Sequence, residues 1–287
     1  MWLGYNTNGF AHHRLHDALT ILADLGYQGV ALTLDVHHLD PTSPNRLAEI
    51  AAVRKRLQQL NLRCVIETGA RFLLDAKRKH QPTLLSADSA GRNRRREFLA
   101  DAIAIAADLG AEAMSFWSGT PDDNAGEAIW LKRLLDGCRW LVDVADRHAV
   151  NLAFEPEPGM FIDRMARYAT LREQVPHPRW GLTLDVGHLH CLGETPIPEQ
   201  ILRWGMDLRN VHIEDMKAGI HDHLRFGEGE MDFPPILRAL QTVAYSGGVC
   251  VELSRHSHDA VRTAEHAIQS LHRWLPPRVS PTPTRLA

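Results

Sequence analysis

The sequence lacks the features that mark several common classes of protein. It has only four cysteines and no CxxC spacing, so neither a zinc ribbon nor a disulfide framework is indicated. No apolar run is long enough to span a membrane, and the first residues show neither the basic nor the apolar segment of a signal peptide. We therefore expect a cytoplasmic protein that does not contact a membrane.

Excess positive charge is also missing. Lys and Arg total 32 against 35 Asp and Glu, for a formal net charge of -3. Domains that bind nucleic-acid phosphates are usually basic, so no nucleic-acid partner is expected. The phosphate-binding pattern GxxxxGK[ST] and the nucleophile pattern GxSxG are absent as well. One residue type is unusually frequent, since the 17 histidines point to metal or proton chemistry.

Short apolar runs alternate with longer amphipathic segments along the chain. Eight runs predict strands, at residues 3–6, 29–34, 63–67, 113–117, 151–155, 181–185, 210–214 and 248–253. Apolar residues recur at three- and four-residue steps over 129–148 and 260–275, which predicts helices. Nearly continuous apolar strands suit a parallel sheet covered by helices.

These units predict a single-domain (β/α)8 TIM barrel over residues 1–275, with an open doubly wound sheet as the alternative. The segment 276–287 holds four prolines and is predicted to be a disordered tail.

A long basic connection follows the third predicted strand. Between Arg71 and Arg96 there are eight Lys or Arg residues and only two Asp, a net charge of +6. Connections of this length are usually lids or binding loops. We expect either a solvated surface or a clamp for an anionic substrate, with Arg71 and the Lys79-His80 pair as its contacts. Arg94–Arg96 is expected to begin the next helix and to face solvent.

Ionisable residues close four consecutive predicted strands, namely Glu155, Asp185, His212 and Glu252. In a barrel of this kind the carboxyl ends of the strands carry the active site. A carboxylate in an apolar strand is costly unless it is paired or binds a metal. Three carboxylates and one imidazole favour one divalent cation, Mn²⁺ first, with Mg²⁺, Co²⁺ or Zn²⁺ as alternatives.

The motifs FEPEPG, LTLDVGHLH, NVHIEDMK, HDHLRFGEGEMDF and CVELSR, in this order, resemble those of the xylose-isomerase-like TIM barrels. That superfamily includes sugar-phosphate isomerases and epimerases, ketose 3-epimerases, inosose dehydratases and type-IV apurinic endonucleases. The resemblance implies that the four strand-end residues are metal ligands. It also implies that His188 contacts the substrate. His223, Glu67, Trp117 and Arg71 are further expected substrate contacts, Arg71 because it begins the basic connection.

The sequence departs from two members of that superfamily. The nucleases carry histidines where Glu67 and Trp117 end strands three and four, and an Asp-x-His pair where this chain has His221-Asp-His223. This difference argues against DNA repair. The ketose epimerases usually carry a substrate-binding arginine six residues after the strand-seven histidine, where this chain has Ala218. Glu157, two residues after Glu155, is expected in a solvated turn.

We therefore expect a metal-dependent isomerase or epimerase of a sugar or keto-polyol, acting by enediolate-type proton transfer. Glu155 and Glu252 are the expected catalytic carboxylates, on opposite faces of the substrate. Two alternatives stay open: a lyase on the same scaffold (a dehydratase or keto-glycoside deglycosidase) and a metabolite carrier without turnover. The expected partner is a small molecule, with homo-oligomerisation left open.

Overall fold

Eight short parallel strands close into a barrel in the computed structural model, which describes residues 1–275. The barrel strands are β1 (Trp2–Asn6), β2 (Gly29–Thr33), β3 (Arg63–Glu67), β4 (Met114–Phe116), β5 (Leu152–Phe154), β6 (Trp180–Asp185), β7 (Leu208–Ile213) and β10 (Gly248–Val251). Their order around the barrel is β1-β10-β7-β6-β5-β4-β3-β2, so that β1 pairs with both β2 and β10. The predicted (β/α)8 barrel is confirmed, and the open sheet is excluded because the strands close on themselves. The predicted disordered tail lies outside the described residues.

Helices cover the outside of the barrel. They are α1 (Leu15–Asp24), α2 (Arg46–Gln59), α3 (Ser89–Leu109), α4 (Glu127–Arg147), α5 (Met165–Gln174), α6 (Val186–Cys191), α7 (Ile197–Trp204), α8 (Phe233–Thr242) and α9 (Ala260–Trp274). Short 3-10 helices at Thr7–Phe10 and Ser254–Asp259 follow β1 and β10. Within residues 1–275, no helix is long and apolar enough to cross a membrane.

The amino-terminal half of the barrel interior is an apolar plug around one indole. Trp2 is buried against small or medium side chains that point inward from other strands, namely Ala31, Val65, Ala113, Ala153 and Cys250. Glycines at 4, 29 and 248 make room for the ring, because a Cβ at any of them would lie within 2.7 Å of it. The amino-terminal half of the barrel interior is therefore filled by side chains.

A two-stranded antiparallel hairpin projects after β7. It pairs β8 (Asp215–Lys217) with β9 (Ile220–Leu224). Asp215 anchors it, because its carboxylate accepts hydrogen bonds from the backbone N–H groups of Gly227 at 2.8 Å and Met231 at 3.1 Å. These bonds join the base of the hairpin to the loop that follows it.

The predicted basic connection is shorter than expected. Helix α3 begins at Ser89, where the Asp88 carboxylate accepts hydrogen bonds from the N–H groups of Ala90 and Gly91. The expectation that Arg94–Arg96 faces solvent is wrong for Arg95, which is only 2% exposed. Its guanidinium donates hydrogen bonds to the backbone carbonyls of Pro82 and His80, both at 2.7 Å. The carbonyls of His80 and Pro82 point toward Arg95, which provides their hydrogen-bond donors.

Candidate active site

The four predicted strand-end ligands meet at the carboxyl end of the barrel. Glu155 follows β5, Asp185 ends β6, His212 lies in β7 and Glu252 follows β10. One ligand atom from each lies within 4.8 Å of the others. The first three are buried, whereas the Glu252 side chain is 18% exposed. We call these four residues the carboxylate site.

His212 is the centre of the carboxylate site. Its Nδ1 lies 2.9 Å from Glu155 Oε1 and 2.9 Å from Glu252 Oε2. Its Nε2 lies 3.0 Å from Glu67 Oε1, which also accepts a hydrogen bond from the Asn210 amide at 3.0 Å. Burial opposes a charge on His212, but the three surrounding glutamates raise its pKa well above the ordinary value. The imidazole therefore joins Glu67 on one side to both catalytic candidates on the other.

The two glutamates beside His212 Nδ1 differ in basicity. Burial, together with the charges of Glu252 and Glu67, raises the pKa of Glu155 to about 8 against the opposing effect of His212. Burial would also raise the pKa of Glu252, but His212, His223 and a hydrogen bond from Asn8 hold it well below the usual range. Two carboxyl groups whose pKa values are shifted in opposite directions thus flank the same nitrogen, an arrangement suited to general acid–base chemistry.

The carboxylate site fits a divalent cation. Three carboxylates surround one imidazole, and among the described residues the buried Asp185 Oδ2 makes no hydrogen bond, although His188 Nε2 lies 3.3 Å away. Buried carboxylate oxygens are costly without a partner. An oxygen-rich donor set with one nitrogen is suited to Mn²⁺ or Mg²⁺.

A pocket of about 260 Å³ opens above the carboxylate site. This volume suits a small polar molecule, since pockets for drug-sized ligands begin at about 300 Å³. Four of the five predicted substrate contacts line it: Glu67, Arg71, Trp117 and His223. The fifth, His188, is buried behind this surface, where its ring contacts the rings of His221 and His223.

Glu157 was expected in a solvated turn, and that expectation is wrong. The side chain is 21% exposed and lines the pocket. Its carboxylate lies 3.8 Å from the Nε2 atoms of His188 and His221. Burial and the neighbouring Glu155 raise the pKa of Glu157 well above its ordinary value. The turn after β5 therefore presents two carboxyl groups to the site.

The outer part of the pocket is basic. Arg71, Lys79 and Arg255 line it together with His80. Arg255 pairs with Asp222 at 2.6 Å, but within residues 1–275 neither the Arg71 nor the Lys79 side chain is paired with a carboxylate. Two cationic groups are therefore available to a ligand at the outer edge of the pocket, and we call Arg71 and Lys79 the basic rim. The carboxylate site forms the acidic floor of the same pocket.

Two contacts that support the site were missed by sequence reasoning. The Asn8 amide donates a 2.8 Å hydrogen bond to Glu252 Oε1. Inspection of the end of β1, in the way applied to strands five to eight, would have indicated Asn8. Arg255 follows Glu252 by three residues, and no local pattern distinguishes it from a surface arginine.

The sequence of this chain is similar to those of curated sugar-phosphate epimerases. The L-ribulose-5-phosphate 3-epimerase UlaE of Salmonella heidelberg is 26% identical over 251 residues, covering 82% of this chain and 80% of the relative. The putative L-ribulose-5-phosphate 3-epimerase SgbU of Escherichia coli is 25% identical over 278 residues, covering 92% and 91%. These relatives are named as epimerases, and they confirm the prediction of an enzyme.

Solved structures share the same fold. A structure of L-ribulose 3-epimerase superposes with a TM-score of 0.78 at 20% identity, covering 98% of this chain and 99% of that one. A D-allulose 3-epimerase from Methylomonas sp. in complex with D-allulose superposes with a TM-score of 0.75 at 20% identity, covering 95% and 96%. The model of the xylose isomerase-like TIM barrel family matches residues 19–277, a span that includes all four residues of the carboxylate site. The chain therefore belongs to the xylose isomerase-like TIM barrel family.

Proposed function

We propose that this chain is a divalent-metal-dependent 3-epimerase of a ketose that carries an anionic group. The proposal depends on one observation: Glu155 and Glu252 each have an oxygen 2.9 Å from the same nitrogen of His212. These groups lie beneath a pocket of about 260 Å³, a volume suited to a sugar. The names of the curated relatives, L-ribulose-5-phosphate 3-epimerases, support the same reaction.

Glu155, Asp185, Glu252 and Nδ1 of His212 would hold the cation, with Mn²⁺ as the best match to the donor set. When bound, a divalent cation polarises the substrate carbonyl and stabilises the negative charge that develops on its oxygen. Glu67 has a supporting role, since it accepts the hydrogen bond of His212 Nε2–H and so directs the Nδ1 lone pair toward the ligand cluster.

The protein groups carry out two proton transfers at one carbon. One of the two glutamates removes the proton from the carbon next to the carbonyl, and its electron pair passes toward the carbonyl oxygen. The other glutamate delivers a proton to the opposite face of the same carbon, and the configuration is inverted. Asn8 holds Glu252 in place for this step through the amide hydrogen bond. His223 would orient a substrate hydroxyl, His188 would contact the His223 ring from behind, and Trp117 would form an apolar wall.

The basic rim would bind an anionic group at the end of the substrate away from the reacting carbon. Arg71 and Lys79 lie on the same pocket as the carboxylate site, and a guanidinium can hold a phosphate through two parallel hydrogen bonds. The opposite charges of floor and rim favour a ketose whose distal end is phosphorylated.

Solvent isotope exchange tests the reaction. The metal-stripped enzyme is reloaded with Mn²⁺ and incubated in D₂O with a ketopentose 5-phosphate and, separately, the free ketopentose. We expect one deuterium at C3, a mixture of the C3 epimers and a preference for the phosphorylated sugar.

Asp185→Asn should abolish exchange, whereas Glu199→Gln, an exposed carboxylate on α7, should not. Loss of water or of an aglycone would assign the chain to the lyases instead. Absence of exchange on every ketose tested would contradict both.

A further inference from the structure

One buried guanidinium lies directly behind the pocket wall. Arg95, on α3, does not line the pocket, but two residues that it contacts, His80 and Trp117, do. Its Nη2 donates a hydrogen bond to the His80 carbonyl and its Nε to the Pro82 carbonyl, both at 2.7 Å. Its Cζ lies 4.8 Å from the centre of the Trp117 ring. Arg95 thus contacts two walls of the pocket without reaching its interior.

The basic rim belongs to the same loop as the His80 carbonyl. Arg71 and Lys79 lie near the two ends of residues 71–80, which we call the rim loop. These ends meet, because the N–H of His80 donates a 2.6 Å hydrogen bond to the Arg71 carbonyl. Inside the loop, the Asp75 carboxylate accepts hydrogen bonds from two backbone N–H groups. The loop is therefore closed on itself, and a group that fixes His80 fixes both cations of the basic rim.

Stability alone does not account for a cation at position 95. Within residues 1–275 no carboxylate pairs with Arg95, and burial lowers its pKa to about 9. A buried charge without a counter-charge is costly, and an apolar side chain of similar length would fill the same space at a lower cost. Only a guanidinium offers a planar fork that donates to two carbonyls while its face packs against an aromatic ring.

We infer that Arg95 is a positioning residue for the anionic end of the substrate. It joins the rim loop to the Trp117 wall, so that Arg71 and Lys79 are held in place relative to the carboxylate site. Cations that are already ordered bind an anion without the entropic cost of ordering them. The inference rests on the proposed ketose phosphate substrate, and it assigns to Arg95 an effect on the affinity for that substrate rather than on proton transfer.

Substrate affinity in the manganese-loaded full chain tests the inference. The dissociation constants of a ketopentose 5-phosphate and of the free ketopentose are measured by calorimetry, and KM and kcat are measured with both. Arg95→Met keeps the length of the side chain but removes its charge and its donors. We expect the dissociation constant and the KM of the phosphorylated sugar to rise by about 5–20-fold, as for residues coupled in one hydrogen-bond network. The kcat and the affinity for the free sugar should change little.

A double-mutant cycle separates positioning from a purely structural role. If Arg95 acts through the basic rim, Arg95→Met should raise KM by a much smaller factor when Arg71 is already replaced by Ala. A purely structural role would give the same factor in both backgrounds. The matched control is Arg133→Met, because the Arg133 side chain is 16% exposed and donates a 3.0 Å hydrogen bond to the Leu85 carbonyl, outside the rim loop. It should leave KM for the phosphorylated sugar near the wild-type value.

Arg95→Lys keeps the charge and provides the same comparisons if circular dichroism shows that Arg95→Met does not fold. An ammonium lacks the planar fork, so the affinity for the phosphorylated sugar should fall by about 2–5-fold. Wild-type affinity in the folded variants, an equal loss for both sugars, or equal factors in the two Arg71 backgrounds would overturn the inference.

The outcomes for the epimerase proposal are distinct. Binding of the phosphorylated sugar that depends on Arg95 but occurs without C3 exchange would overturn only the epimerase proposal. Exchange whose KM does not depend on Arg95 would overturn only the positioning role. A wild-type chain that binds neither sugar would overturn both.

Discussion

The two halves of the barrel interior differ in chemistry although the same strands build both. The amino-terminal half is the apolar plug around Trp2, and the carboxyl-terminal half holds the carboxylate site. Inward-facing side chains alternate along each strand, so one step of two residues leads from one region to the other. On the fifth strand Ala153 is followed by Glu155, and on the last strand Cys250 is followed by Glu252.

This comparison separates stability from function by position. The plug buries apolar surface with no polar atom left over except the Trp2 indole N–H, which donates to Glu112 at 3.1 Å. The carboxylate site buries charged groups that weaken the fold unless a ligand compensates them. A substitution in the plug should therefore affect folding, and one in the carboxylate site should affect turnover.

The largest effect is expected from removing the proton-transfer groups. Glu155→Gln and Glu252→Gln keep the side-chain size but abolish its basicity, so kcat should fall by about 10²–10⁴-fold. The free energy of unfolding, measured by urea titration, should change little, because an amide is less costly to bury than a carboxylate. Near-normal turnover in both variants would show that another group moves the proton.

The reverse outcome is expected for the plug. Trp2→Ala removes a fully buried indole and should lower the free energy of unfolding by about 3–5 kcal/mol. Turnover per folded molecule should stay near wild type, since the ring lies at the opposite end of the barrel. Trp140→Ala on α4, where the residue is 38% exposed, is the control and should cost far less. Equal destabilisation of the two variants would contradict the plug.

A smaller effect is expected at the basic rim. Arg71→Ala should lower kcat/KM for a phosphorylated ketose by about 10–100-fold, because it removes a charged hydrogen-bond donor. The free ketose should be little affected. Arg71→Lys should fall between the two, and the exposed Arg94→Ala should resemble wild type. If Arg71→Ala weakens both substrates alike, the rim does not bind the anion.

The smallest effect concerns the loop that carries the rim. Burial, with Lys79, Arg95 and Arg71 nearby, lowers the pKa of His80 to about 4 from an unfolded value of 6.5. Between these values the unfolded chain binds the extra proton, so His80 should reduce stability as pH falls from 6.5 toward 4.

His80→Asn should make that loss shallower in urea titrations at pH 7, 5.5 and 4.5. Asn is the suitable replacement because His80 has a φ of 65°. An unchanged pH profile would show that His80 does not couple folding to protons.

The sequence by itself determined the barrel and the positions of the main candidate ligands. The alternation of apolar runs with amphipathic segments specifies strand–helix units, and a parallel barrel brings the ends of all its strands to one rim. Residues that end strands, such as Glu155 and Asp185, are therefore brought together by topology alone. This convergence can be predicted without knowing which side chains they contact.

Only the tertiary structure decided which side chains support those ligands. Arg95 lies in a basic run typical of solvent, yet it is buried because the carbonyls of His80 and Pro82 turn toward it. Glu67 reaches His212 across the barrel, 145 positions along the chain, and Asn8 reaches Glu252 over 244 positions. Such contacts depend on loop path and side-chain direction, and these are set by packing between segments that carry no local signal of one another.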